Sequence, residues 1–410
     1  MKKVLKHTIF SAIALALALS SCISENILPN PVEEKGYKTV SLHITQASKE
    51  TETRGISRPV CNGELLEFNS GDLYLYNAAT GQIIRHFRII RAGAAPHNFA
   101  TGGFINRDLL NFVNATSSAL LEIPNVPGNV THVAIVGNTP HNNTQGNIND
   151  VFNRQICITT QHSALTPEGQ PQKPGVNLFG MTAPLVRVGD VATGTLLLSP
   201  TVARIEIGSI VGTGSIVDFT VEGIFIDNHY RRASVSGVIP NHGDAQPNPN
   251  RMGRGTNATL FAPGQPYYSF IIGGPTNSGA LFDLRPDNNI NTWRGQRAGN
   301  VPGAVRPGGI TNVTNCTAIG CTNNHSNIPN VWAYHLFAHS AGTSPPNVVI
   351  RLSNIRLINE TAPQPGYRFL TVSRLYDQTG TAVTSIRSGN TYHIAVVLFY
   401  EGDLRLLPND

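Results

Sequence analysis

Three places in this 410-residue sequence carry groups able to do chemistry. The first is Cys22, which follows Leu19-Ser20-Ser21 after a basic start (Lys2, Lys3, Lys6) and an apolar run over residues 9–19. A short apolar run behind lysines is a secretory signal, too short to be a membrane span. A Cys directly behind Leu-Ser-Ser has the form of a bacterial lipobox, in which the thiol is diacylglycerylated and becomes the new N-terminus. Two or three acyl chains on one residue anchor stably, whereas one is marginal. The second place is the Arg54–Gly55 bond in "ASKETETRGI", residues 47–56, a polar stretch with no large apolar side chain before Ile56. Such a stretch is exposed and extended, and reads either as a linker or as a point where the chain is cut. The third is the pair His335 and His339, spaced as in a zinc-protease helix. Leu336 stands where the catalytic Glu belongs, and the segment reads as a strand, so no metal site is expected there.

Composition narrows the remaining chemistry. Residues 55–410 carry 23 basic and 20 acidic side chains, scattered and without aromatic interleaving, which excludes a nucleic-acid surface. Lys173 is their only lysine, so Schiff-base chemistry and repeated Lys–Asn crosslinks are nearly excluded. No phosphate loop, Gly-x-Ser-x-Gly elbow or paired-carboxylate cleft is legible, so neither an enzyme nor a cofactor is expected. Beyond Cys22 the cysteines are Cys61, Cys157, Cys316 and Cys321. Cys316 and Cys321 enclose four residues of a polar loop and could bridge it in an oxidising compartment, but three full pairings stay open. No Cys-x-x-Cys pair is present to build a zinc site.

The elements that must position these groups are strands. Charged residues are only 13% of the chain, with 39 Gly and 27 Pro, the balance of a β-rich, loop-rich extracytoplasmic protein. In "YKTVSLHIT" Val40, Leu42 and Ile44 alternate with Thr39, Ser41 and His43, the period of a half-buried strand. "GDLYLYNAATGQIIRHFRII" predicts a hairpin turning at 77–81, and "LLEIPNVPGNVTHVAIVGNTP" a second pair turning at Pro127-Gly128. A brief helix is expected over 148–156. In "VARIEI" Ala203, Ile205 and Ile207 alternate with Arg204 and Glu206. After "IVGTGS" (210–215) a second round of strands begins, in "DFTVEGIFIDN", "VWAYHLFAH", "NVVIRLSNIRLI", "YRFLTVSRLY" and "NTYHIAVVLFY". Residues 237–330 read as a long loop region; it holds Tyr267, Tyr268, Trp293 and several Arg, which suit contact with protein or glycan. The expected fold is all-β, with two β-sandwich domains at 55–212 and 213–410 behind a signal peptide (1–21) and a leading segment (22–54).

The order of these phrases resembles the type V pilus fimbrillins, the FimA/Mfa-like family, through "DLYLYNAATGQII", "IPNVPGNVTHVAIVGNTP", "FGMTAPLVRV", "VARIEIGSI", "DFTVEGIFIDN" and "SGNTYHIAVVLF". The resemblance covers most of the chain except 237–330. It implies transthyretin-like sandwiches, a lipid-anchored precursor at the outer membrane, and a cut by an Arg-specific protease after the first strand. Carried onto this chain, Cys22 is the lipid site and Arg54–Gly55 the scissile bond. Arg58 is a poorer target because Pro59 follows it. Val40, Leu42 and Ile44 are then the inward residues of a removable strand, whose place a strand from another fimbrial subunit takes at the cell surface. The last strong strand ends at Tyr400 and is followed by "EGDLRLLPND", a poor donor, so a tip or accessory subunit with an adhesive role toward a host or bacterial surface receptor is expected. The rival readings are a monomeric glycan-binding surface lipoprotein and a secreted hydrolase.

Overall fold

The computed structural model describes residues 37–46, 57–59, 68, 70–90, 104–106, 118–139, 146–158, 176–240, 251–252, 281–284, 293–306, 332–340, 345–376 and 381–406. Among them the chain is all-β, with 25 strands and one short α-helix. Tyr37–Asp410 packs as one compact unit.

The first group of strands is one large sheet. It contains β1 (Tyr37–Gln46), β3 (Gly71–Tyr76), β4 (Ile83–Ile90), β5 (Phe104–Asn106), β6 (Ser118–Pro127), β7 (His132–Gly137), β9 (Leu178–Met181) and β11 (Val191–Pro200). Their spatial order is β5-β4-β3-β7-β9-β11-β1-β6, and β10 (Val186–Val188) pairs with β11 beside this path. Local chemistry makes the β3–β4 hairpin. Asn77 accepts at its Oδ1 from the backbone of Ala79 (3.0 Å) and Thr80 (3.3 Å). Gly81 supplies the positive φ of 71° that returns the chain. The helix, α1 (Ile148–Phe152), begins where Asn147 accepts from the amide of Asn149 at 2.9 Å. It is shorter than the expected span of 148–156, because Gln155–Cys157 forms a strand, β8, paired with β16 (Arg232–Ser234). Phe152 then packs edge-on against Tyr76 and Phe179, covering part of one face of the sheet.

β6 and β7 are strands as expected, but they do not pair with each other. β6 lies at the sheet edge against β1, while β7 lies between β3 and β9. The reason is tertiary. The apolar face of β1 finds its match in Leu121 and Ile123 of β6, and the turn at Pro127 spans the gap between distant places in one sheet.

The second group holds three sheets. One has the order β2 (Ser57–Pro59), β24 (Asn390–Ile394), β12 (Val202–Ile207), β21 (Trp332–Phe337). Another has β20 (Ala304–Val305), β13 (Ile210–Gly212) and β25 (Val397–Phe399). The third has β18 (Leu281–Leu284), β14 (Ile216–Asp227), β22 (Asn347–Leu357) and β23 (Arg368–Val372), with β19 (Arg294–Gln296) also paired to β14. A small ladder joins β15 (His229–Tyr230) to β17 (Arg251–Met252). The chain passes between the groups at Thr201, earlier than the 210–215 segment, since β12 and β13 already pair with strands from beyond residue 300.

The long 237–330 segment is partly structural. β17 to β20 come from it, and Trp293 is fully buried, 5.7 Å from the ring of Trp332. Trp293 is therefore a core residue and not a contact surface; Tyr267 and Tyr268 lie outside the described residues. β12 is buried on both faces, so Arg204 and Glu206 compensate each other through an Nε–Oε1 bond of 2.9 Å.

Candidate functional site

The site is the place that β1 occupies. Alternation in the sequence puts Val40, Leu42 and Ile44 on one side, and each is fully buried, while His43 between them is exposed. β1 is an interior strand. It runs parallel to β11, with Val40, Leu42 and Ile44 opposite Ala192, Gly194 and Leu196. It runs antiparallel to β6, with the same three residues opposite Ile123, Leu121 and Ala119. Among the described residues β6 has no other sheet partner.

Small side chains on β11 make room for this strand. A Cβ at Gly194 would lie 2.6 Å from Leu185 Cδ2 and 3.5 Å from Leu42 Cδ2, so the glycine gives the space that Leu42 and Leu185 share. Burying three aliphatic side chains is worth about 1.5–3 kcal/mol each before backbone pairing is counted.

The entry end of β1 is held by polar contacts that the sequence reading missed. Lys38 is only 7% exposed, and its Nζ donates to the backbone oxygens of Val130 (2.7 Å) and Gly128 (3.1 Å) in the turn after β6. The amide of Thr39 donates to Asp190 O at 2.9 Å. The signal for Lys38 was present in the sequence: it stands two residues before Val40, in step with the buried positions.

A separate polar cluster lies on the opposite face of the same sheet. Asp72 is fully buried and accepts from His86 Nε2 (2.9 Å) and Arg88 Nη1 (3.0 Å). The Tyr74 ring stacks on His86 at 4.7 Å. Burial, then the negative charge of Asp72, raises the Tyr74 hydroxyl far above its ordinary pKa. Cross-strand register explains the grouping, since Asp72 faces Arg88 and Tyr74 faces His86 between β3 and β4.

His335 lies in β21, a strand as expected, paired in register with Arg204. His339 bridges by its backbone to Ile386, and its ring lies 4.4 Å from that of Tyr230. Among the described residues no group of three His, Cys, Asp or Glu is placed to hold a metal ion. No helix among them is long and apolar enough to cross a membrane. Cys22, Arg54, Gly55, Cys61, Cys316 and Cys321 lie outside the described residues.

No protein-family model matches the chain, and no curated protein is detectably similar to it. Solved structures are. The chain is similar to a candidate cell adhesion protein from Parabacteroides distasonis, with 12% identity, a TM-score of 0.48, and 91% of each chain covered. It is also similar to a fimbrilin from Porphyromonas gingivalis, with 12% identity, a TM-score of 0.42, and 88% of this chain and 91% of that one covered. A candidate cell adhesion protein from Bacteroides eggerthii gives 12% identity and a TM-score of 0.41, covering 89% of this chain and 86% of that one.

Proposed function

We propose that this chain is a non-enzymatic subunit of a bacterial surface fimbrium, made as a lipoprotein precursor and matured by loss of its first strand. Cys22 carries the lipid that holds the precursor at the outer membrane. An Arg-specific protease cuts Arg54–Gly55, β1 leaves, and a strand from another fimbrial subunit takes its place.

The observation that carries this reading is the setting of β1. It is an interior strand with three fully buried aliphatics, yet it stands at the start of the described chain and is joined to the rest through the polar residues 47–56. Its loss exposes apolar surface and the unpaired edges of β11 and β6, a state that strand addition repairs. After the cut, β2 keeps the new N-terminal part paired to β24 at Ser57–Tyr392, so only β1 is released.

A tip or accessory place with an adhesive role toward a surface receptor fits residues 401–406. The backbone of Arg405 donates to Phe369 O (3.0 Å) and accepts from Phe369 N (2.8 Å) at the edge of β23, so this segment is engaged within its own subunit.

N-terminal sequencing of the protein from purified surface appendages tests the reading. A start at Gly55 supports it. A lipidated Cys22 on an uncut chain with no appendage association overturns it in favour of the monomeric glycan-binding lipoprotein. Arg54→Ala is expected to accumulate as precursor that does not incorporate, and normal incorporation of the uncut variant would count against strand exchange.

A further inference from the structure

The place held by β1 has a polar end as well as an apolar floor, and the two together define what can fill it. At the floor, Ala192 and Gly194 leave room opposite Val40 and Leu42, with Leu121 and Ile123 on the other side. At the entry end, the oxygens of Gly128 and Val130 converge on one ammonium group, that of Lys38. The bond to Val130 is buried, and Val130 itself is 1% exposed. A carbonyl in that position loses its partner if the filling strand brings no donor, and a buried acceptor left unpaired is costly.

We infer that the segment which replaces β1 carries a Lys or Arg two residues before the first of three alternating aliphatic residues, and runs parallel to β11. This inference rests on the strand-exchange reading above and names the chemistry of the partner. The cation fixes both register and direction. A one-residue slip turns the aliphatics to the exposed face. A strand of reversed direction moves its cation to the Ile44 end, away from the two carbonyls. Among the 410 residues, the pattern Lys/Arg-x-Φ-x-Φ-x-Φ, with Val, Leu or Ile at each Φ, occurs only at Lys38.

The test uses the full chain with a sequence-specific protease site placed within residues 47–54. After the cut, a fluorescein-labelled peptide of the sequence 37–46 is added and its uptake followed by anisotropy. Four unlabelled competitors are compared: the native peptide, its Lys38→Arg and Lys38→Met forms, and a peptide of reversed sequence. The Arg form is expected to compete within about threefold of the native peptide, because it keeps the charge-assisted donors. The Met form and the reversed peptide are expected to compete at least about tenfold less well. Equal competition by the Met form overturns the cation requirement while leaving strand exchange intact. Equal competition by the reversed peptide overturns the direction. Failure of every peptide, the native one included, to enter the cut protein overturns strand exchange itself and this inference with it.

Discussion

Replacing Leu42 by Ala tests whether β1 is an integral part of the core. Leu42 is fully buried, and the residue opposite it on β11 is Gly194, which has no side chain to move into the space left behind. Leu121 on β6 is itself 5% exposed and fixed in register. Leu→Ala changes in cores cost about 2–5 kcal/mol, and the cost rises when the site cannot collapse. We therefore expect about 3–4 kcal/mol for Leu42→Ala, against less than about 0.5 kcal/mol for the neighbouring outward change Ser41→Ala. Spread over the whole Tyr37–Asp410 unit, 1 kcal/mol corresponds to about 1–1.5 °C in Tm, so the first variant should melt on the order of 3–6 °C lower. The assay is urea and thermal unfolding of the uncut full chain. Near-ultraviolet circular dichroism follows the 11 tyrosines and both tryptophans together. Fluorescence follows Trp293 and Trp332, both buried in the second group of strands. A loss smaller than about 1 kcal/mol in the unfolding free energy would refute the reasoning, because β1 would then not be part of the packed sheet.

Two further outcomes follow from the polar cluster. Because the folded state raises the Tyr74 pKa above its ordinary value near 10, it keeps that proton longer than the unfolded chain does. The resulting stability is whole below pH 10 and is lost as pH climbs above it toward the folded value. Tyr74→Phe should flatten this alkaline decline, which pH-dependent melting measures; an unchanged slope would refute the assignment. Asp72→Asn removes the buried charge between His86 and Arg88 and should destabilise the chain by about 3 kcal/mol, read by urea unfolding; a loss within about 0.5 kcal/mol would mean that the pairing contributes nothing.

Features set by near neighbours in the chain were legible in the sequence. The alternation of Val40, Leu42 and Ile44 gives a strand with one apolar face. Asn77 and Gly81 give the turn of the β3–β4 hairpin. The turn-rich, weakly charged composition gives an all-β chain. Each depends on backbone preference or side-chain period within a few residues, which a strand keeps wherever it is placed.

Pairing and burial were decided only in three dimensions. Nothing local separates β6 from β7, whose flanking turn looks like that of a hairpin, yet β6 crosses the sheet to meet β1. "NTYHIAVVLFY" reads as one strand but divides into β24 and β25 in different sheets. Trp293, in a stretch rich in Gly and Arg, fills the core because Trp332 lies beside it in space. Arg204 and Glu206 are tolerated inside because each neutralises the other. For the site, the sequence determined that β1 has an inward face. The tertiary structure decided that β1 lies between β11 and β6, and that Lys38 ends on two carbonyls about ninety residues away in the chain. Those contacts depend on which strands pair, and strand pairing is chosen by the burial of whole faces together, a property no short stretch of sequence holds.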